Sequence, residues 1–79
     1  MRIIVERRFK KSVTRHNIEI QSGDDVLQVK QKYAEETGID LLAINAYYGL
    51  YDENDNLLYD EMLAKNFEDD TVLYLLYQG

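Results

Sequence analysis

The chain contains no cysteine, no proline, no tryptophan, one histidine and four glycines among its 79 residues. Without cysteine it has no disulfide framework, thiol nucleophile, thiolate zinc site or iron–sulfur cluster. The single histidine, His16, has no second histidine or cysteine to join it in a metal site or a catalytic triad. No glycine-rich loop is present that could hold a phosphate. We therefore expect a protein that is not an enzyme and that needs no metal and no cofactor.

Long apolar runs and linkers are also missing from the sequence. The longest apolar runs are a few residues, far below the roughly 20 that a bilayer requires, so we expect no membrane span. The start does not have the pattern of a signal peptide, and we expect an intracellular protein, cytoplasmic or nuclear. With 46% hydrophobic and 30% charged residues, the composition is that of a folded chain. Because no repeat or linker interrupts it, residues 1–79 are predicted to form a single domain.

The charge is unevenly distributed along the chain. Residues 1–16 contain six basic residues and one acidic residue, whereas residues 17–79 contain three basic and fourteen acidic residues. The basic segment could bind phosphate or nucleic acid locally, but the overall net charge of −6 repels polyanions. We therefore expect no nucleic-acid partner and interpret the basic segment as a solvated hairpin.

The spacing of apolar residues alternates along the chain between that of strands and that of a helix. Val26, Val29 and Tyr33, at spacings of three and four, predict a helix that Gly38 ends. The predicted order is a strand at residues 1–7, a turn at 8–12, a strand at 13–20, a helix at 25–37, a strand at 44–48, a short strand at 57–59, a short helix at 60–66 and a strand at 71–77. A mixed sheet packed on one helix is the economical way to bury these faces, so the predicted class is α+β.

Three segments of the sequence resemble proteins of the ubiquitin-like superfamily. The start MRIIV resembles the first strand of that family, DDVLQVKQKYAEETGI resembles its helix, and EDDTVLYLLYQ resembles its last strand. The resemblance implies a ubiquitin-like β-grasp fold, in which a mixed four- to five-stranded sheet packs on one main helix. The first hairpin and the segment from Leu50 to Leu63 are longer than in ubiquitin, and the chain lacks the basic tail that closes on two glycines.

The resemblance also implies a surface through which a partner protein binds. In ubiquitin, partner binding centres on an apolar patch formed by the first hairpin turn, the third strand and the last strand. Position by position, this patch corresponds to Phe9, Tyr47 and Leu75. The residues expected around it are Leu73, Tyr77, Arg8, Lys10 and Lys11. The implied function is a non-catalytic protein–protein interaction domain, of the adaptor kind, that binds through its sheet face. The alternative is that some of these side chains fold back into an outer minor core.

Two further functions are left open by other parts of the sequence. Gly79 resembles the mature end of ubiquitin-like modifiers, which are joined to lysines of other proteins through that carboxylate. The acidic run YDENDNLLYDEML resembles the acidic motif of PB1 domains, which docks on a basic patch of a neighbour. In a PB1-like assembly the acidic residues Asp52, Glu53 and Asp55 dock on Arg7 and the other basic residues of the first strands. A solvated acidic turn is the simpler interpretation. It leaves a monomer with at most weak self-association.

Overall fold

The computed structural model describes all 79 residues as one four-stranded sheet with two α-helices and a single 3₁₀ turn. The elements are β1 (Arg2–Phe9), β2 (Ser12–Glu19), α1 (Val26–Thr37), α2 (Leu41–Tyr47), β3 (Tyr48–Tyr51), the 3₁₀ turn (Ala64–Asn66) and β4 (Thr71–Tyr77). The strand order is β2-β1-β4-β3, with β1 antiparallel to β2, parallel to β4, and β3 antiparallel to β4. The predicted α+β class is confirmed, and the arrangement is β-grasp-like.

The first two strands form a longer hairpin than the sequence pattern predicts. Pairing runs without interruption from Arg2 opposite Glu19 to Phe9 opposite Ser12, so only two residues remain in the turn. The first of these, Lys10, has a φ of 56°, the left-handed conformation that tight hairpin turns require. The predicted turn at residues 8–12 is therefore too long. The charged residues at the end of β1 led to the prediction of a turn, although their side chains alternate between the two faces of the sheet as in any strand.

Helix α1 begins and ends at the signals that its sequence carries. The Asp25 side chain accepts a hydrogen bond from the Gln28 backbone at 2.9 Å, and the Gln28 side chain accepts one from the Asp25 backbone at 2.9 Å. This reciprocal pair is a capping box. At the other end Gly38 has a φ of 76°, and its N–H donates to the Ala34 carbonyl at 2.8 Å. The predicted helix at 25–37 is confirmed to within one residue.

The segment before β3 is a helix, although the sequence analysis predicts a strand at 44–48. The Asp40 side chain caps α2 by accepting a hydrogen bond from the Leu42 backbone at 3.1 Å. Within α2, Leu41 and Ile44 are three residues apart, and only Ile44 is fully buried. The β-forming residues of this segment are overridden by the cap and by the burial of Ile44. Strand β3 then runs through Gly49 to Tyr51, beyond the end of the predicted strand at 44–48.

The acidic segment between β3 and β4 contains less regular structure than predicted. The predicted strand at 57–59 is reduced to a single bridge between Leu57 and Tyr51. The predicted helix at 60–66 is only the 3₁₀ turn at its end. The segment is held in place by backbone hydrogen bonds, including one from the Leu58 N–H to the Leu50 carbonyl at 2.8 Å.

One face of the sheet carries the core and the other does not. The thirteen buried apolar residues come from all four strands, both helices, the 3₁₀ turn and two connecting segments: Ile3, Val5, Ile18, Ile20, Val26, Val29, Tyr33, Ile44, Leu50, Leu58, Ala64, Leu73 and Leu75. Leu73 and Leu75 are 0% and 1% exposed, so the prediction that they belong to an exposed patch is wrong. Side chains alternate along a strand, and the exposed side of β4 is instead that of Val72, Tyr74 and Leu76.

The capping box gives a direct test of how much α1 depends on its first turn. We expect Asp25→Ala to lower the free energy of unfolding by about 1 kcal/mol, because the Gln28 backbone N–H loses the side-chain acceptor that caps the helix. Urea denaturation followed by circular dichroism measures this loss. The matched control is Gln31→Ala, an exposed position in the middle of the same helix, which should change stability by less than about 0.5 kcal/mol. Equal stability of Asp25→Ala and the wild type would show that the box does not hold the helix.

Candidate partner-binding surface

The face of the sheet opposite the core carries a continuous row of apolar side chains. We call it the outer face and define it by Ile4, Tyr51, Val72, Tyr74 and Leu76. All five are half-buried. The strand register places Ile4 beside Val72 and places Tyr74 beside Tyr51. No helix packs on this face, because both α1 and α2 contribute their buried residues to the core on the other side.

A buried carboxylate lies next to the outer face and holds two arginines. Glu6 is only 3% exposed although it points away from the core. Its two oxygens accept hydrogen bonds from the Nε atoms of Arg15 at 2.7 Å and Arg8 at 2.6 Å. Arg15 lies directly across from Glu6 on β2, and Arg8 is two residues along β1 on the same face. The cluster carries a net charge of about +1, because two guanidinium groups share one carboxylate.

The arginines lower the pKa of Glu6 and are themselves only partly used. The hydrogen bond from Arg15 is the main cause of the lowered pKa, and Arg8 adds to it, while removal of Glu6 from water acts in the opposite direction. Each arginine bonds Glu6 through Nε alone, so the terminal nitrogens of both guanidinium groups have no partner within the chain. These side chains are more than half exposed. They are therefore oriented donors that remain free to bind an acceptor from outside.

Arg8 also connects the charged cluster to the apolar row. Its guanidinium carbon lies 5.0 Å from the centre of the Tyr74 ring, within the range of a cation–π contact. A shallow groove beside this contact is lined by Arg8, Tyr74, Leu76, Glu53 and Asp55. One wall of the groove is thus basic and the other acidic, with apolar side chains between them.

Tyr51 lies at the edge of the outer face, and two contacts hold its ring in place. An added Cβ on Gly49 would lie 2.8 Å from the Tyr51 ring, so the ring crosses β3 only because residue 49 is glycine. The Tyr51 hydroxyl accepts a hydrogen bond from the Gln78 side chain at 3.0 Å. The glycine and this bond fix the ring at the edge of the face.

Two of the three residues that the sequence analysis places at the centre of the patch meet elsewhere, at the end of the sheet. Phe9 packs edge-on against Tyr77 with ring centres 4.8 Å apart, and Tyr47 stacks on Tyr77 at 6.5 Å. Tyr48 joins them at 5.5 Å and accepts a hydrogen bond from Arg7 at 3.0 Å. We call Phe9, Tyr47, Tyr48 and Tyr77 the end cluster. Tyr47 ends α2 rather than lying on a strand, and Leu75 is buried away from this surface.

The end cluster matches the alternative of an outer minor core more closely than an open patch. Each of its rings packs against Tyr77, although Tyr47 and Tyr77 are still 50% and 46% exposed. Lys10 lies with its ammonium 5.3 Å from the centre of the Phe9 ring. Each of these aromatic side chains therefore already has a packing partner within the chain.

Two of the charged residues of the PB1-like alternative, Arg7 and Asp52, have hydrogen-bond partners within the chain. Asp52 accepts hydrogen bonds from the backbones of Asn54 and Asn56 at 2.8 and 3.0 Å, which stabilise its own turn. The bonds from Asn56 are the main cause of its lowered pKa. Glu53 and Asp55 share the shallow groove with Arg8, so acidic and basic groups lie on one face. Head-to-tail docking needs them on separate surfaces, and this placement does not favour it.

Gly79 is exposed and lies two residues beyond the end of β4. The preceding residue, Gln78, is held by its backbone N–H, which donates to the Tyr47 carbonyl at 2.6 Å. Conjugation through Gly79 stays a prediction.

The sequence analysis misses the residues at the centre of the outer face. Glu6, Arg15, Tyr51 and Tyr74 are not singled out there. The signal was present in part, because the alternation that buries Ile3 and Val5 also puts Glu6 and Arg8 together on the opposite side. On β4 both sides of the strand are apolar, so alternation alone could not identify the exposed one.

Neither comparison with models of known protein families nor comparison with curated protein sequences finds a match for this chain. Neither helix has the length and apolar character needed to cross a bilayer.

The Glu6 cluster predicts a specific dependence of stability on pH. We expect Glu6→Gln to be less stable than the wild type by about 1–2 kcal/mol at pH 7, because both arginines lose a charged acceptor. The folded-state pKa of Glu6 is lowered, so its contribution is present at neutral pH and is lost as the pH falls below about 4.3 and through the folded-state pKa. The difference between the two proteins should therefore shrink in acid.

Urea denaturation at a series of pH values from neutral to acid measures this difference. The carboxylates of Asp24, Asp52 and Asp70 also have lowered pKa values, but they titrate in both proteins and cancel. Glu36→Gln, at an exposed position of α1, is the control for loss of a carboxylate and should show no such change. A stability difference that stays constant across the whole range would contradict the assigned role of Glu6.

Proposed function

We propose that this chain is a non-catalytic, ubiquitin-like protein–protein interaction domain, of the adaptor kind, that binds its partner through the outer face. One observation carries the proposal: both helices cover the same side of the sheet, and the uncovered side has apolar residues packed beside two oriented arginines. A row of neighbouring apolar side chains that no other element of a small domain covers is typical of a binding site. Tyrosine and arginine are also the residues that contribute most at protein interfaces.

The charges around the outer face define the chemistry of the partner. A carboxylate on the partner can accept hydrogen bonds from the free terminal nitrogens of Arg8 and Arg15, and the planar guanidinium group suits a two-point contact. On the other wall of the groove, Glu53 and Asp55 suit a lysine or arginine. Between them, an apolar side chain can pack on Tyr74 and Leu76. The partner segment is therefore expected to carry an acidic, an apolar and a basic residue in that spatial order.

The outer face is favoured over the end cluster because no helix covers its row of apolar side chains and two arginines border it. The rings of the end cluster pack on one another, whereas the outer-face side chains lie side by side across β1, β4 and β3 on the side away from both helices. Glu6 also gives the outer face two donors in fixed positions before a partner arrives. Preorganised groups lose less conformational entropy on binding, which favours affinity.

We expect Tyr74→Ala to weaken partner binding by about 1–3 kcal/mol, roughly 5- to 150-fold, because the ring lies at the centre of the outer face. Proteins retained by the immobilised wild-type chain from a lysate of its source organism are identified by mass spectrometry. The most enriched one is then purified, and its affinity for each variant is measured by calorimetry. Circular dichroism verifies that each variant is folded.

Two other tyrosines provide matched comparisons for this measurement. Tyr59→Ala removes an exposed tyrosine outside the sheet and should bind like the wild type. Tyr47→Ala removes a half-exposed ring of the end cluster and should also retain binding. Loss of binding in Tyr47→Ala together with full binding by Tyr74→Ala would move the site to the end cluster and overturn the proposal.

A further inference from the structure

Strand β2 is an edge of the sheet, and half of its backbone groups have no partner. The Ile20 N–H donates to the Met1 carbonyl at 2.8 Å, and the Met1 amino group donates to the Ile20 carbonyl at 3.1 Å. In an antiparallel pair such bonded positions recur at every second residue. The even-numbered residues of β2 therefore bond to β1. The odd-numbered ones direct their N–H and C=O groups to the open edge: Val13, Arg15, Asn17 and Glu19.

This edge lacks most of the features that usually prevent an edge strand from pairing. Proteins block such edges with proline, with a bulge, with a very short strand or with a covering loop. Here β2 is eight residues long, contains no proline, and pairs with β1 in an unbroken register. Six of its eight residues are exposed. Its charged side chains are the only remaining protection, so their arrangement decides what can approach.

The charges along the edge change sign from one end to the other. The start of β2 is basic, because Lys10 and Lys11 form the hairpin turn and Arg15 follows. The far end is acidic, where Glu19 lies beside a groove that α1 lines with Glu35 and Glu36. Lys32, also in this groove, is already paired with Asp24 at 2.6 Å. The Met1 amino group lies 3.5 Å from one Glu19 oxygen, and the Glu19 side chain is still 77% exposed. The edge therefore has a basic half and an acidic half.

We propose that this edge binds a second copy of the same chain, with the two β2 strands antiparallel across a two-fold axis. An antiparallel arrangement places the basic half of each edge against the acidic half of the other, so the same favourable pairing occurs twice. A parallel arrangement would place like charges together. The two four-stranded sheets then join into one sheet of eight strands, with both outer faces on the same side.

The free backbone groups and the side-chain charges together select one register. Only odd-numbered residues can bond across the edge, so odd-numbered residues must face each other. Pairing Asn17 with its own counterpart brings Arg15 of each chain opposite Glu19 of the other. A shift by one bonded position toward the basic side pairs Arg15 with Asn17 and loses both Arg15–Glu19 pairs, and a shift by two brings the two Arg15 side chains opposite each other, which is unfavourable. The Asn17-centred register is therefore the expected one.

Amide hydrogen exchange tests the dimer without any partner protein. In a monomer, the amides of Arg15, Asn17 and Glu19 should exchange rapidly, while the even-numbered amides of β2 are protected by β1. As the protein concentration rises from about 10 µM to about 1 mM, the range in which weak complexes form, we expect these odd-numbered amides to slow by about tenfold or more. Sedimentation should show a matching approach to twice the 9.3 kDa monomer mass.

Asn17→Pro is the variant that separates the edge from the fold. Proline at this position removes an N–H that points to solvent and not to β1, so the hairpin should keep its ladder, which circular dichroism verifies. We expect the association constant to fall by about tenfold or more. A variant that folds and still dimerises like the wild type would overturn the proposal.

Charge reversal at Glu19 tests the register. Glu19→Lys places a lysine opposite Arg15 of the second copy and should weaken the dimer, although it reduces the net negative charge that drives two chains apart. Glu68→Lys makes the same change in net charge at an exposed position before β4 and should not weaken it. Equal effects of the two variants would show that β2 is not the interface.

The remaining outcomes are equally decisive. If the chain stays monomeric at about 1 mM, the highest concentration in the hydrogen-exchange experiment, the second-copy proposal is wrong. If the odd-numbered amides are protected only when the partner protein recovered through the outer face is added, the edge binds another chain and the proposal is also wrong. Because the dimer is measured without that partner, its failure leaves the proposed function standing, and failure of the proposed function leaves the dimer standing.

Discussion

The parallel pairing of β1 with β4 is the contact on which the rest of the structure depends. It joins the first strand of the chain to the last, and it puts β1 and β4 together at the centre of the sheet. Ile3 and Val5 then share one face with Leu73 and Leu75, and these four residues form the floor on which α1 packs. Pairing strands so distant in sequence costs loop-closure entropy, which the burial of this apolar floor must offset. The outer face exists because the same pairing turns Tyr74 and its neighbours to the opposite side.

Much of the fold could be predicted from the sequence, but the choice of exposed face could not. The helix at 25–37, with its cap and its terminal glycine, was predictable because every signal for it is local. The last strand was predictable for the same reason. Its two sides, however, are Leu73 and Leu75 on one and Val72, Tyr74 and Leu76 on the other, and both are apolar. Only the register with β1, where Glu6 and Arg8 occupy the outer side, decides between them. That register is a long-range property, so alternation within β4 could not supply it.

The strand predicted for the segment before β3 is wrong for a different reason, because the local preferences of its residues conflict. Ile44 and the tyrosines favour a strand, while the Asp40 cap and the three-residue spacing from Leu41 to Ile44 favour a helix. Burial of Ile44 in the core settles the conflict. The consequence for the candidate site is direct, because Tyr47 then lies at the end of a helix and meets Phe9 only through Tyr77. Two of the three residues expected at the centre of the patch therefore do not lie on the open side of the sheet, since Leu75 is buried and Tyr47 ends α2.

The two proposed surfaces are physically coupled through Arg15. This residue lies on the edge strand, yet its side chain reaches Glu6 and belongs to the charged cluster of the outer face. Arg15 has only the N–H groups of its terminal nitrogens left to donate, so a partner carboxylate and Glu19 of a second copy compete for them. By linkage, any loss of partner affinity caused by dimerisation must be matched by an equal loss of dimer affinity caused by the partner. Arg8 has no such second role. The relative contribution of Arg8 and Arg15 to partner binding therefore determines whether the domain binds its partner as a dimer or as a monomer.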